Sequence, residues 1–337
     1  MKLTKKTVLA ASLATLMAAS AQAANDVNSK VYGSLRIGVD SIDAKTKDDG
    51  ANGRDFLSRV GVKADQKIND SLTVTGQLEY GIGADFGQKS SPELRLANVG
   101  LKGDFGSVTF GSQTTLWHKF VRGAYFSDGN DSLRQGTIRD DDLIQYYYKN
   151  GGLTLGAGTQ VEGRDGDDFD QYMLGGEYKV GALKLQAAYS KDNRGDNKGD
   201  LIGARAWYKI TDAVTVSALT HQASKDYDLY GGNSAGNVKT ASLKNPVGAC
   251  AEDRTTNAAY AQYKFGSNMV HTRYAVNSCD NSGDATSVKV EYVRYVTKKF
   301  RTWVSYEDIS LDDKRKAANG AAEDSISAIQ LGTRFDF

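Results

Sequence analysis

From Val31 onward the chain alternates apolar and polar side chains with a period of two. Val31, Leu35, Ile37 and Val39 fall on one face of an extended strand, and Tyr32, Ser34 and Arg36 on the other. Leu72–Gly83 shows it most cleanly, with Leu72, Val74, Leu78, Tyr80 and Ile82 against Thr73, Thr75, Gln77 and Glu79. This pattern excludes a helical fold and specifies an all-β chain of strands with one apolar and one polar face. The connections alternate too. Tight turns at Ile68–Ser71, Gly103–Gly106, Asn150–Gly152, Gly181, Thr211–Asp212 and Gly266–Ser267 follow every second strand. Long polar segments follow the others, at Asp40–Asp55, Ala84–Ser91, Thr114–Asp142, Ser224–Thr256, around Cys279 and at Leu311–Asp324. The count is about sixteen strands, enough to enclose an aqueous lumen.

The chain begins with Lys2, Lys5 and Lys6, a short apolar run over Thr7–Ala19 and the small-residue site Ala21-Gln22-Ala23. This predicts a signal peptide over residues 1–23 and a mature domain over 24–337. Cleavage removes three lysines from a net charge of +1 and leaves −2, a balance that excludes nucleic acid as a partner. The mature sequence has no apolar run long enough for a membrane-crossing helix, and mean hydropathy is −0.48. A barrel strand needs only about ten residues, half of them facing the lumen. The chain holds 36 Gly, 18 Tyr and only 2 Pro. Tyr suits a lipid–water boundary, and Pro is kept out because it cannot donate to a ladder.

Hydrocarbon offers no partners to backbone N–H and C=O groups, so a membrane sheet must close on itself. The pattern therefore predicts a transmembrane antiparallel β-barrel whose apolar faces meet lipid and whose polar faces, with Arg36, Arg59, Lys63, Gln77 and Glu79, meet water. A charge on the lipid face near mid-membrane costs about 2–4 kcal/mol, which fixes that register.

In Thr114–Asp142 the alternation stops. The stretch carries Lys119, Arg122, Arg134 and Arg139 against Asp128, Asp131 and Asp140–Asp142, with Gly123, Gly129 and Gly136 as turning points. So long a loop is functional or disordered. Here it is expected to fold inward and narrow the lumen, with an exposed surface loop as the alternative. Cys250 and Cys279 form an even pair in an exported chain, for which a disulfide is the default.

Several segments resemble the general diffusion porins of Gram-negative outer membranes: Val31-Tyr32-Gly33, Ser58–Lys63, Leu94–Ala97 with Gly100–Lys102, Tyr295–Phe300 through Trp303–Tyr306, and the terminal Phe337. The resemblance implies a sixteen-stranded homotrimer in outer-membrane lipid and lipopolysaccharide, with the third outer loop folded into each barrel. It implies passive diffusion of ions and small hydrophilic solutes, with no cofactor. By position it implies constriction-wall residues Arg36, Arg59, Arg95 and Lys149, and constriction-loop residues Lys119, Arg122, Asp128 and Asp131. Where the family has Pro-Glu-Phe-Gly-Gly-Asp, this loop reads Phe126–Asp131, and Asp128 is the replacement acid.

Three other readings remain open at this stage. A substrate-specific channel for sugars or anions would use Trp117, Phe120, Tyr125 and Tyr146–Tyr148 as a stacking track. An outer-membrane enzyme would need a histidine beside a carboxylate or hydroxyl. His118, His221 and His271 are the only histidines; His221 and His271 have no evident partner motif and read as solvated, and His118, in Trp117-His118-Lys119, is placed to line the pore. A secreted β-sandwich or lectin is the third.

Overall fold

In the computed structural model the chain forms one closed antiparallel β-barrel. The structure describes residues 27–337 except 44–49, 84–91, 130, 162–168, 194–197, 228–249, 251 and 322, so the expected signal peptide lies outside it. The strands are β1 (Val27–Asp43), β2 (Gly50–Asp55 and Arg59–Asn69), β3 (Leu72–Gly81), β4 (Glu93–Gly103), β5 (Gly106–Thr114), β6 (Arg139–Asn150), β7 (Leu153–Gln160) and β8 (Gln171–Val180). They continue as β9 (Leu183–Asp192), β10 (Asp200–Lys209), β11 (Val214–Ala223), β12 (Arg254–Phe265), β13 (Asn268–Cys279), β14 (Gly283–Tyr295), β15 (Phe300–Leu311) and β16 (Ser325–Asp336). One short helix, α1 (Asp313–Asn319), sits in the last outer loop. Each strand pairs with its sequence neighbours, and β1 pairs with β16, from Ser34 opposite Asp336 to Asp43 opposite Ser327.

The two pieces of β2 are one strand, because both pair with β1. The break is a bulge at Phe56–Ser58, where Leu57 takes a φ of 71°. Phe56 N and the Ser58 side chain both bond the Arg36 backbone, which turns Phe56 inward against Trp303, with ring centroids 5.5 Å apart. Counted this way, the barrel has sixteen strands.

The alternation read from the sequence is the inside–outside register. Leu35, Ile37, Val39, Leu174, Ile202 and Leu331 are exposed on the outer surface, while Ser34, Arg36, Gln145, Ser190 and Lys289 are buried within the barrel. Tyr178, Tyr208, Tyr263 and Phe265 lie exposed close to the short-turn rim, where amphipathic rings meet the lipid–water boundary.

One connection departs from the expected alternation. The segment around Cys279 is not a long loop: β13 and β14 continue until only Asp280–Ser282 separate them. The two strands extend each other's ladder to the pair Cys279–Gly283, leaving no backbone to loop out. The Asp40–Asp55 segment is likewise mostly strand, paired between β1 and β2 from Ile37–Asp55 to Ile42–Gly50.

Candidate functional site

The third outer loop, residues 115–138, runs through the inside of the barrel. Its first turn is a π-helical turn, His118–Arg122, that presents an apolar face. Leu116, Trp117, Phe120 and Val121 pack on Leu143, Met173, Ala188, Leu201 and Ala223 of the lumenal wall. Each such side chain is worth about 1.5–3 kcal/mol when taken out of water. The wall is smoothed for them by glycines. A Cβ at Gly175 would overlap the Phe120 ring, and one at Gly203 would sit 2.5 Å from Trp117 Cη2. Trp117 also donates from Nε1 to the Gln135 carbonyl at 2.7 Å, tying the two limbs of the loop together.

From this anchor the loop crosses to the opposite wall. The Gly123 carbonyl accepts from Arg205 Nη1 at 2.8 Å, and the Arg205 guanidinium lies between the Tyr125 and Trp207 rings, 3.9 and 4.2 Å from their centroids. Tyr125 stacks on Tyr260 at 4.2 Å, and Phe126 lies against His271 at 4.7 Å. The tip is then held by charge. Lys289 donates to Asp128 Oδ2 at 2.7 Å and sits 3.4 Å from Glu307; all three side chains are buried. Asp131 lies 3.2 Å from Arg134 and 3.8 Å from Arg273. The Ser127 amide donates to Glu291, and Ser132 Oγ to Glu307. Burial alone would raise the Asp131 carboxyl. Arg134, Arg273 and Lys289, with the Tyr125 amide, outweigh it and hold the group below its usual range.

Gly129, at a φ of +83°, is the furthest reach of the loop toward β1. A Cβ there would stand 3.1 Å from Arg36 Nη1. Arg36 belongs to a basic wall. Its electrostatic neighbours are Arg59, Arg301 and Arg334 with Asp336, while Arg139 lies near Arg95 and Arg59 with Glu93 and Glu79. Arg95 donates to Glu79 at 2.8 Å, and Arg334 bonds Asp336 at 2.8 Å. Among the described residues Arg36, Arg59 and Arg139 have no carboxylate within ion-pair distance.

Arg36, Arg59 and Arg95 thus stand together on one wall. The other expected site residues are placed differently. Lys149 stands outside the cluster, exposed beside the Asn150–Gly151 turn. Arg122 is 3% exposed and donates its Nε to the Gln135 carbonyl, so it braces the loop and does not face the opening. Lys119 points the other way, 3.9 Å above the Tyr147 ring. Asp128 and Asp131 do not oppose the arginines across open water; three buried cations of the loop and of β13–β14 hold them. The stacking track of the alternative, substrate-specific reading is broken, since Trp117 and Phe120 are 2% and 4% exposed and serve as anchors.

Both strand histidines, expected in water, are buried. The His221 ring lies tilted against Trp117 at 4.9 Å, and His271 bonds Tyr260 at 3.1 Å and Glu291 at 2.8 Å. Sequence reasoning did not assign Arg139, Arg301 and Arg334 to the wall. Inward parity was the signal for the last two. At the outer mouth Cys250 and Cys279 are joined in the structure, with Cα atoms 6.0 Å apart.

A closed barrel with an inward loop and a basic wall is the geometry of a pore, and comparison with known proteins agrees. A family model described as Gram-negative porin matches residues 9–314.

The chain belongs to the Gram-negative porin family.

Outer membrane protein F of Serratia marcescens is 26% identical to it over 380 residues, covering 98% of this chain and 100% of that protein. A monosaccharide porin of Halomonas sp is 29% identical over 256 residues, covering 61% of this chain and 67% of that protein. Among solved structures, an anion-selective porin from Comamonas acidovorans superposes with a TM-score of 0.68 at 20% identity, covering 93% of this chain and all of that one. Salmonella typhi OmpF in complex with daunomycin gives 0.69 at 18% identity, covering 91% and 97%. This porin is an outer-membrane protein that forms a water-filled channel for passive diffusion of small hydrophilic solutes and ions.

Proposed function

We propose that solutes pass between the wall formed by Arg36, Arg59, Arg95 and Arg139 and the backbone of the inward loop, and that this gap favours anions. The observation that carries the reading is the one-sided charge of the gap. The loop carboxylates Asp128 and Asp131 are tied to Lys289, Arg134 and Arg273, whereas Arg36, Arg59 and Arg139 stand without ion-pair partners among the described residues. A low-dielectric wall focuses such a field onto the water beside it, and rings of Arg and Lys select anions in pores. Apolar solutes must shed ordered water to pass and are slowed.

The family reading extends to a homotrimer seated in outer-membrane lipid and lipopolysaccharide, and to export by the segment 1–23 with a mature chain from Ala24. It also extends to a pore without enzymatic activity. The Tyr260–His271–Glu291 chain of hydrogen bonds supports that last point. It lies beneath Phe126, and its Glu291 is spent on the Ser127 amide, so it locks the loop.

Purified protein in planar bilayers tests this. Conductance should rise in steps that group in threes, and a KCl gradient should give a reversal potential on the anion side. Liposome swelling should fall off with the size of neutral solutes. No conductance steps, or a reversal potential on the cation side, would overturn the reading.

A further inference from the structure

Below the arginine wall, on the short-turn side, the inner faces of β2 to β5 enclose a recess of about 290 Å³ under the first turn of the inward loop. Its walls carry the polar side chains of Lys63, Gln77, Asn98, Thr109, Gln113 and, from the loop, Lys119, beside an apolar strip of Ala64, Gly76 and Leu96. Two of these are cations. Lys63 Nζ stands 5.2 Å from the Tyr32 ring and Lys119 Nζ 3.9 Å from the Tyr147 ring. Among the described residues neither has a carboxylate within ion-pair distance. Asp65, the one acid in the recess, accepts from Asn28 at its outer edge.

The neutral groups are arranged for hydroxyls. Gln77 donates its amide to Tyr32 Oη at 2.6 Å, and Asn98 donates to the Ser112 carbonyl at 3.3 Å. Their side-chain carbonyl oxygens accept from no described residue. Thr75 adds a hydroxyl that can donate and accept, and the Thr109 hydroxyl, which donates to Gln113 Oε1 at 2.6 Å, still accepts. The recess opens at Asp65 and Thr75 into the wider vestibule at the short-turn end, lined by Asp70 and Asp104 and by Lys67 and Lys102. An anion leaving the arginine gap therefore meets two ammonium groups, then amide and hydroxyl partners, then an exit of mixed charge.

We propose that this recess is a binding subsite for small hydroxylated carboxylates, the hydroxy-acid and sugar-acid class. Lys63 and Lys119 take the carboxylate, and Gln77, Asn98, Thr75 and Thr109 take the hydroxyls. The volume suits a solute smaller than the drug-sized ligands that fill sites of about 300–1,000 Å³. The proposal rests on the pore reading, and its test is separable from that reading.

Gluconate is the probe and glucose, of similar size and uncharged, the control. Chloride current through single channels is recorded with increasing gluconate on one side, each protein scored against its own open-channel current. Wild-type current should be blocked in a saturable way by gluconate and not by glucose. Lys63→Gln/Lys119→Gln should raise the half-blocking concentration about tenfold or more, the loss expected for two charge-assisted contacts. Channel formation by the variant reports that it has folded. Block that persists unchanged in this variant, equal block by glucose, or no block by gluconate overturns the subsite. The pore reading would survive each of these results, because only absence of conductance would remove it.

Discussion

Lys289 on β14 and Asp128 at the tip of the inward loop form an ion pair of 2.7 Å, with both side chains fully buried and 161 positions apart in the chain. It fixes the position of the loop tip and removes a negative charge from the opening. Breaking a buried pair from one side costs about 3–5 kcal/mol, because the other charge is left uncompensated. Lys289→Met strands Asp128 and Glu307 together. Its single-channel conductance should become larger and noisier than wild type. Lys289→Met/Asp128→Asn should recover much of the steadiness. A quiet, wild-type-sized channel in the single variant would show that the pair does not hold the loop.

The other end of the loop is held by packing. Phe120 is 4% exposed and lies in a hollow that exists because residue 175 is glycine. Removing a buried Phe side chain costs about 3–5 kcal/mol, so Phe120→Ala should loosen the loop and raise conductance. Gly175→Leu should do the same by filling the hollow with a side chain of the wall. If only Phe120→Ala acts, the ring's own bulk matters and its seat does not.

Acid should release the tip late. The Asp131 carboxyl is held below its usual range by Arg134, Arg273 and Lys289. Its contribution is therefore complete above the unfolded value of about 3.9 and is lost as pH falls through the lower, folded value. Glu291, Glu307 and His271 share the docking surface. Single-channel recording from neutral pH downward should show a constant frequency of substate transitions to about pH 4 and a rise below it. A rise already complete by pH 6 would contradict this.

The disulfide belongs to the outer mouth. Cys250 and Cys279 close a loop across 29 positions, for which chain-entropy arguments give about 3–4 kcal/mol. Unreduced, denatured protein should show no free thiol. Reduction should lower the unfolding temperature yet leave single-channel conductance unchanged, because neither cysteine touches the inward loop. Two free thiols in unreduced protein would refute the bond.

Much of this architecture is legible in the chain because a strand's parity is a local property. Val31–Val39 and Leu72–Gly83 show which face meets lipid without reference to any other segment. The inward loop is legible as a break in that parity. What could not be read is which residues meet across the lumen. Nothing local to Asp128 indicates that Lys289 takes it, or that His271 finds Tyr260 and Glu291. Trp117 and Phe120 look like a ligand platform until Gly175 and Gly203 are seen beneath them. The placement of Lys149 failed for a related reason: parity sets the face of a strand but not the height along it. The Phe56–Ser58 bulge was invisible because the residues on both sides still alternate.

The central claim is that uncompensated arginines of the wall face the solute path. The reversal potential of Arg36→Gln/Arg59→Gln beside wild type, in the same KCl gradient, tests it most directly. The expected result is a shift toward cations with conductance retained, because the wall loses two charges while the loop stays anchored on the far side. An unmoved reversal potential would contradict it and place these arginines away from the narrowest part of the pore.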